Sequence, residues 1–162
     1  MQLLGSGSIL REAIAAADLL RDDFGIAADV WSATSFSELA RDGIAAERWN
    51  LLHPTEPQRA AYVTEQLAGR PGPVIAATDY VRAVAEQIRP FVPGHYRVLG
   101  TDGYGRSDLR ERLRRHFEVD RGFIATAALK ALCDEGRVPP STVRLALEKY
   151  GIAAEKPHPA KS

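Results

Sequence analysis

Apolar positions along this chain recur with two different periods. From Ser8 to Phe24 they fall at Ile9, Leu10, Ala13, Ile14, Ala17, Leu20 and Phe24, the spacing of one helical face. Ser8 stands where an N-cap belongs, and Gly25 where a left-handed C-terminal residue belongs. Ahead of that helix, Gln2-Leu3-Leu4 is a short apolar run that stops at Gly5-Ser6-Gly7. Behind it, ADVWSATSF alternates in part and predicts a strand with Val30, Ser32 and Thr34 on one side.

The same two signals continue to the end. Ser35 and Glu38 form a capping-box pattern and open a short helix to about Asp42, with a second helical piece in AAERWNLLHP. Thr55-Glu56-Pro57-Gln58 predicts the start of the next helix, running to Gly69. Val74 to Ala77 is a short buried strand, Tyr80 to Ile88 a helix stopped by Pro90, and GHYRVLG a further strand. Helices follow over Asp108 to Phe117, Gly122 to Glu135 and the stretch PPSTVRLALEKYG, and then a tail, IAAEKPHPAKS, expected to be flexible from residue 153 to 162. Strands that alternate with helices predict an α/β domain, a three-layer arrangement with a mostly parallel sheet covered on both faces.

Composition narrows the function classes. A chain of 162 residues fits one domain and can bury roughly 70% of its unfolded surface, so it needs no disulfide or metal to fold. Basic and acidic residues balance at 21 each, which argues against a nucleic-acid partner. Cys133 is the only cysteine, which excludes an intrachain disulfide and a cysteine-based zinc site. No signal-peptide pattern and no apolar run long enough for a bilayer occurs, so a cytoplasmic protein without a membrane partner is expected.

Two glycine-rich turns carry the candidate chemistry. Gly5-Ser6-Gly7 ends the first strand, but position 10 is leucine where a dinucleotide fingerprint needs its third glycine. GTDGYGRSD at residues 100–108 ends a later strand, but lacks the spacing and lysine of a P-loop. Either turn offers backbone N–H groups to an anion, and Arg106 adds a charge, while Asp102 and Asp108 oppose it. Gly5, Ser6, Gly7, Asp102, Gly103, Gly105, Arg106, Ser107 and Asp108 are therefore candidates for either a protein interface or an anion loop. The run RSDLRERLRRHFEVDR holds six arginines against four acids and predicts a solvated, ion-paired helix. No two of His53, His95, His116 and His158 share a helical face, and no Gly-x-Ser-x-Gly elbow is present, so neither a catalytic residue nor a metal ligand is assigned.

Several stretches together resemble a known family. QLLGSGSILREA, DVWSATSFSELARDG, ERWNLLHP, ATDYVRAVAEQIRPFVP, YRVLGTDGYGRSDLRERLRRHFEVD and ATAALKALCDEG match in order and spacing across residues 2 to 152. The chain resembles the C-terminal domain of the transketolase superfamily of thiamine-diphosphate enzymes, more closely that of the homodimeric pyruvate dehydrogenase decarboxylase component. GTDGYGRSD is the most specific piece. The resemblance implies about five strands, one of them antiparallel, over residues 1–152. It implies that thiamine diphosphate and magnesium are held by other domains, whose Gly-Asp-Gly…Asn and catalytic-glutamate signatures are absent here. The implied role is structural, in assembly with other domains, a second subunit and a complex containing lipoyl acyltransferase, with no cofactor and no chemistry in this chain alone. A small-anion-binding regulatory module is the alternative that the glycine turns themselves suggest.

Overall fold

A computed structural model describes residues 1–161; Ser162, the last residue of the expected tail, lies outside the described residues. Four strands are present among them: β1 (Gln2–Gly5), β2 (Asp29–Ser32), β3 (Val74–Ala77) and β4 (Tyr96–Leu99). They form one sheet in the order β2-β1-β3-β4, and every neighbouring pair is parallel. The mostly parallel α/β prediction holds. The count of about five strands with one antiparallel does not, because no described residue after β4 belongs to a strand or pairs with either sheet edge.

Strand alternation divides the core in two. Leu3, Ile75 and Ala77 point to one face and pack with Leu20 from α1 (Leu10–Phe24) and Ile124, Ala128 and Leu129 from α6 (Arg121–Asp134). Leu4, Val74, Ala76, Tyr96 and Val98 point to the other, against Phe36 and Ala40 of α2 (Phe36–Leu52), Val63 and Leu67 of α3 (Tyr62–Leu67), and Ala85 of α4 (Arg82–Glu86). Strands buried on both faces read as continuous apolar runs, which is why β3, Val-Ile-Ala-Ala, is legible without a polar alternation. α5 (Arg110–His116) and α7 (Pro140–Lys149) are the remaining α-helices among the described residues, with Ala146 of α7 fully buried in the first cluster.

Several boundaries differ from the sequence prediction for identifiable reasons. Ser8 is not a helix cap: residues Gly7–Ile9 form a 3-10 turn, and the Ser8 hydroxyl bonds to Asp79 instead. The two helical pieces expected around Asp42 and Trp49 are one helix, α2, capped by Ser35, whose Oγ accepts from the Glu38 N–H at 3.2 Å. Gly43 does not break it, because its missing Cβ admits the Phe91 ring: a Cβ there would lie 2.4 Å from the ring. α3 starts at Tyr62, since Pro57 and its neighbours remain irregular. Gly25 has φ +66° and its N–H closes onto Arg21, as its position predicts.

The arginine-rich run is also more deeply embedded than a solvated helix. Arg114 bonds through Nη1 to Glu12 Oε1 at 2.8 Å with its side chain 15% exposed, and Arg115 bonds to the Tyr150 carbonyl at 2.7 Å. The expected tail packs back on the domain: Lys156 Nζ donates to the His116 carbonyl and Glu118, and Pro159 is buried.

Candidate functional site

In a parallel sheet all strands end on one side, so the turns after β1, β3 and β4 share an edge. Strand order reverses between β1 and β3: the chain leaves β1 for β2 on one side and returns to β3 on the other. Crevices form at such a reversal. Here the turns are stitched together. Ser6 Oγ donates to Thr78 Oγ1 at 2.8 Å, and the Thr78 N–H bonds to the Leu99 carbonyl. Thr101 Oγ1 donates to the Asp79 carbonyl at 2.6 Å, the Thr101 N–H to the Tyr80 carbonyl, and the Arg82 N–H to Asp102 Oδ1 at 2.9 Å. The start of the 100–108 loop, at Thr101 and Asp102, is thereby fixed onto the turn after β3.

The sequence candidates separate into four groups. Gly5 and Ser6 face inward: a Cβ on Gly5 would lie 2.6 Å from the Leu10 backbone, and Ser6 is buried in its bond to Thr78. Asp102 is spent on the Arg82 N–H, and Gly7 lies beside Asp79. Gly103, Gly105 and Arg106 line a crevice of about 330 Å³ together with Ser8, Asp79 and Arg110. Ser107 and Asp108 line an adjoining crevice of about 340 Å³, where Arg106, Arg112 and His116 also stand. The Gly5–Gly7 turn and the 100–108 loop thus reach one edge, but Ser8 rather than the glycines carries the first turn into the crevice.

Electrostatics at this edge are cationic. Arg114, on the crevice wall, is neutralised by Glu12, which also accepts from Arg121 through N–H and Nε at 3.1 and 3.0 Å. Burial acts to raise the Glu12 carboxyl, but Arg121's side-chain and backbone bonds and the charges of Arg121 and Arg114 outweigh it and hold it below the ordinary glutamate value. Burial, then the charges of Arg106 and Lys156, lower the His116 imidazole against the pull of Glu118. Its Nε2 is buried without a hydrogen-bond partner. Asp79, Arg110, Arg114 and Glu12 escaped the sequence reading. Asp79 follows directly on β3, so the rule that strand carboxyl ends carry ligands is the signal that would have found it.

No group of three or more His, Cys, Asp or Glu side chains among the described residues could hold a metal ion. No helix among them is long and apolar enough to cross a membrane. Around the crevice mouth the loops carry exposed apolar side chains: Tyr80 at 64%, Tyr104 at 84% and Leu109 at 69% exposure, with Val81 beside them.

A family model described as the transketolase-like TK C-terminal domain matches residues 1–120. The chain is 60% identical over 159 residues to the pyruvate dehydrogenase E1 component of Cupriavidus necator, and 60% identical over 160 residues to that of Pseudomonas aeruginosa. It is 51% identical to that of Escherichia coli strain K12. In each case 98% of this chain is covered but only 18% of the relative, so the chain spans less than a fifth of the length of these proteins. Two solved structures share the fold. One is described as a split gene transketolase, inactive beta4 tetramer, with TM-score 0.53 and 19% identity over 82% of this chain and 39% of that one. The other is a transketolase from Campylobacter jejuni, with TM-score 0.51 and 22% identity over 80% of this chain and 16% of that one.

Proposed function

The chain belongs to the transketolase-like C-terminal domain family, and from that premise we propose that it is the C-terminal domain of a pyruvate dehydrogenase E1 component, serving assembly rather than chemistry. Identity of 60% to named E1 components across nearly the whole chain supports the first half of this reading. The observation that carries the second half is the set of exposed Tyr80, Val81, Tyr104 and Leu109 on the loops that also supply the crevice residues Asp79, Gly103 and Gly105. Large apolar side chains clustered on an ordered surface mark a docking face. The partners proposed are the remaining domains of the E1 component, a second subunit and, at the level of the complex, the lipoyl acyltransferase. A cytoplasmic location belongs to the same proposal, and Cys133 is present as a free thiol. Residues 1–152 form the domain proper in this reading, with residues 153–162 as an extension from it.

The donor chemistry at the strand ends does not suit thiamine diphosphate with magnesium. A hard cation takes carboxylate oxygens. Here no group of three or more His, Cys, Asp or Glu side chains among the described residues could hold a metal ion, and Arg106, Arg110 and Arg114 line the crevice. We therefore propose that the cofactor is bound by parts of the enzyme beyond this stretch, and that no step of the decarboxylation runs through residues of this chain.

A chimera tests the assignment. Replacing the matching stretch of the Pseudomonas aeruginosa enzyme by this chain is expected to leave a dimer that decarboxylates pyruvate with added thiamine diphosphate and magnesium. Substituting Tyr80, Tyr104 and Leu109 together by serine should cut dimer formation and activity about tenfold or more, as loss of a packed apolar contact does. The same three changes in the isolated chain should leave its circular dichroism unaltered. Carbon dioxide release by the isolated chain, or a fully active triple variant of the chimera, would overturn the proposal.

A further inference from the structure

We propose that the crevice between the turn after β1 and the 100–108 loop binds a small phosphomonoester with a hydroxylated body. This goes beyond the assembly role and stands on separate observations.

The first is place. The crevice opens at the carboxyl ends of β1, β3 and β4, where the strand order reverses, and its volume of about 330 Å³ suits a small metabolite. The second is unbalanced charge. Arg106, Arg110 and Arg114 line it, and only Arg114 has a carboxylate partner, Glu12. Neither Arg106 nor Arg110 forms an ion pair with a described residue, in a chain whose charges balance at 21 of each sign. Two unpaired guanidiniums lining one cavity match the planar, bidentate recognition of a phosphate.

The third observation sets the other end of the ligand. Asp79 lines the same cavity, with Oδ2 accepting from the Ser8 hydroxyl at 3.2 Å. Its carboxylate retains capacity to accept from ligand hydroxyls. It would repel a second anionic group, so a dicarboxylate or bisphosphate is disfavoured. Leu113 and Phe117 supply an apolar wall for a short carbon skeleton. Gly105 has open space where a Cβ would stand, which leaves the loop backbone accessible.

Calorimetry on the chain with glycerol 3-phosphate, inorganic phosphate and glycerol tests this directly. Glycerol 3-phosphate is expected to bind in the sub-millimolar range, phosphate more weakly, and glycerol not at all. Arg106→Ala with Arg110→Ala should weaken glycerol 3-phosphate about tenfold or more by removing charge-assisted bonds to the phosphate. Asp79→Asn should weaken glycerol 3-phosphate and leave phosphate unaffected or tighter. Arg106 also depresses the His116 imidazole, so phosphate on Arg106 should move the His116 ring titration upward in NMR. No heat at about 10 mM glycerol 3-phosphate, which corresponds to negligible affinity, would overturn the proposal. Equal affinity for phosphate and glycerol 3-phosphate would overturn its hydroxyl half, and unchanged binding in the double arginine variant its location. The docking test replaces Tyr80, Tyr104 and Leu109 in the assembled enzyme, whereas these readouts replace Arg106, Arg110 and Asp79 in the chain alone, so the two readings fail separately.

Discussion

Glu12 illustrates how one residue ties the site to the core. It lies in the first turn of α1 with 4% exposure, and joins α1 to Arg114 of α5 and Arg121 of α6. Glu12→Ala strips the partner from Arg114, whose side chain is itself only 15% exposed. Breaking a buried pair from one side costs about 3 kcal/mol, the low end of the range because Arg121 stays half in solvent. Urea unfolding of Glu12→Ala should show that loss, and Glu12→Gln a smaller one because an amide oxygen still accepts. The pH dependence follows from the lowered carboxyl. A carboxylate with a depressed folded pKa contributes stability that is full above its unfolded value, near about 4.3, and is lost as pH falls through the folded value. The wild-type urea midpoint should therefore drop below about pH 4, and the drop should be shallower in Glu12→Gln. Identical pH profiles for the two proteins would show that Glu12 is not carrying the effect.

At the scale of elements, α2 shows why local signals mislead. Glycine weakens a helix interior by about 1 kcal/mol relative to alanine, so Gly43 reads as a boundary between two short helices. The structure keeps α2 whole and uses Gly43 as the point of closest approach to Phe91. Gly43→Ala gains the helix propensity but forces the ring to move, an overpacking cost of about 1–3 kcal/mol. The net expectation is a loss of about 1 kcal/mol and a Tm lower by about 3 °C, read by thermal unfolding. Phe91→Leu in the same chain should recover part of it, because the two side chains compete for one space. A more stable Gly43→Ala would refute the packing account. Helices α1 and α7 were legible because one-sided burial imposes its period on their side chains, and β3 and α6 because burial on both sides makes them nearly continuous apolar runs. Boundaries set by contacts far apart in sequence, Ser8 to Asp79 and Gly43 to Phe91, were not. For the same reason GTDGYGRSD could be marked as a site from its glycines, while Asp79 and Arg110, which complete the crevice, could not.

At the scale of the molecule, the family match ends at residue 120 but the folded unit does not. α6, beyond that limit, places Ile124, Ala128 and Leu129 fully inside one of the two cores. Farther on, the 153–161 segment binds the domain through Lys156 to His116 and Glu118, and reaches the 100–108 loop through Pro159. Gly103 there has φ +121°, and a Cβ on it would lie 2.7 Å from the Pro159 carbonyl. A segment whose composition suggests a free tail thus braces the loop that carries the exposed Tyr104 and forms the crevice wall. Ending the chain after Ile152 should speed hydrogen exchange in residues 100–108 about tenfold, equivalent to about 1.4 kcal/mol of local stability, while β1 and β3 exchange as before. Gly103→Ala separates the two constraints on that loop. In the full chain it carries both the backbone strain of a positive φ, about 1–3 kcal/mol, and the collision with Pro159. In the shortened chain only the strain remains, so the substitution should cost less there. If Gly103→Ala costs the same in both chains, or if shortening leaves loop exchange unchanged, the segment does not brace the loop.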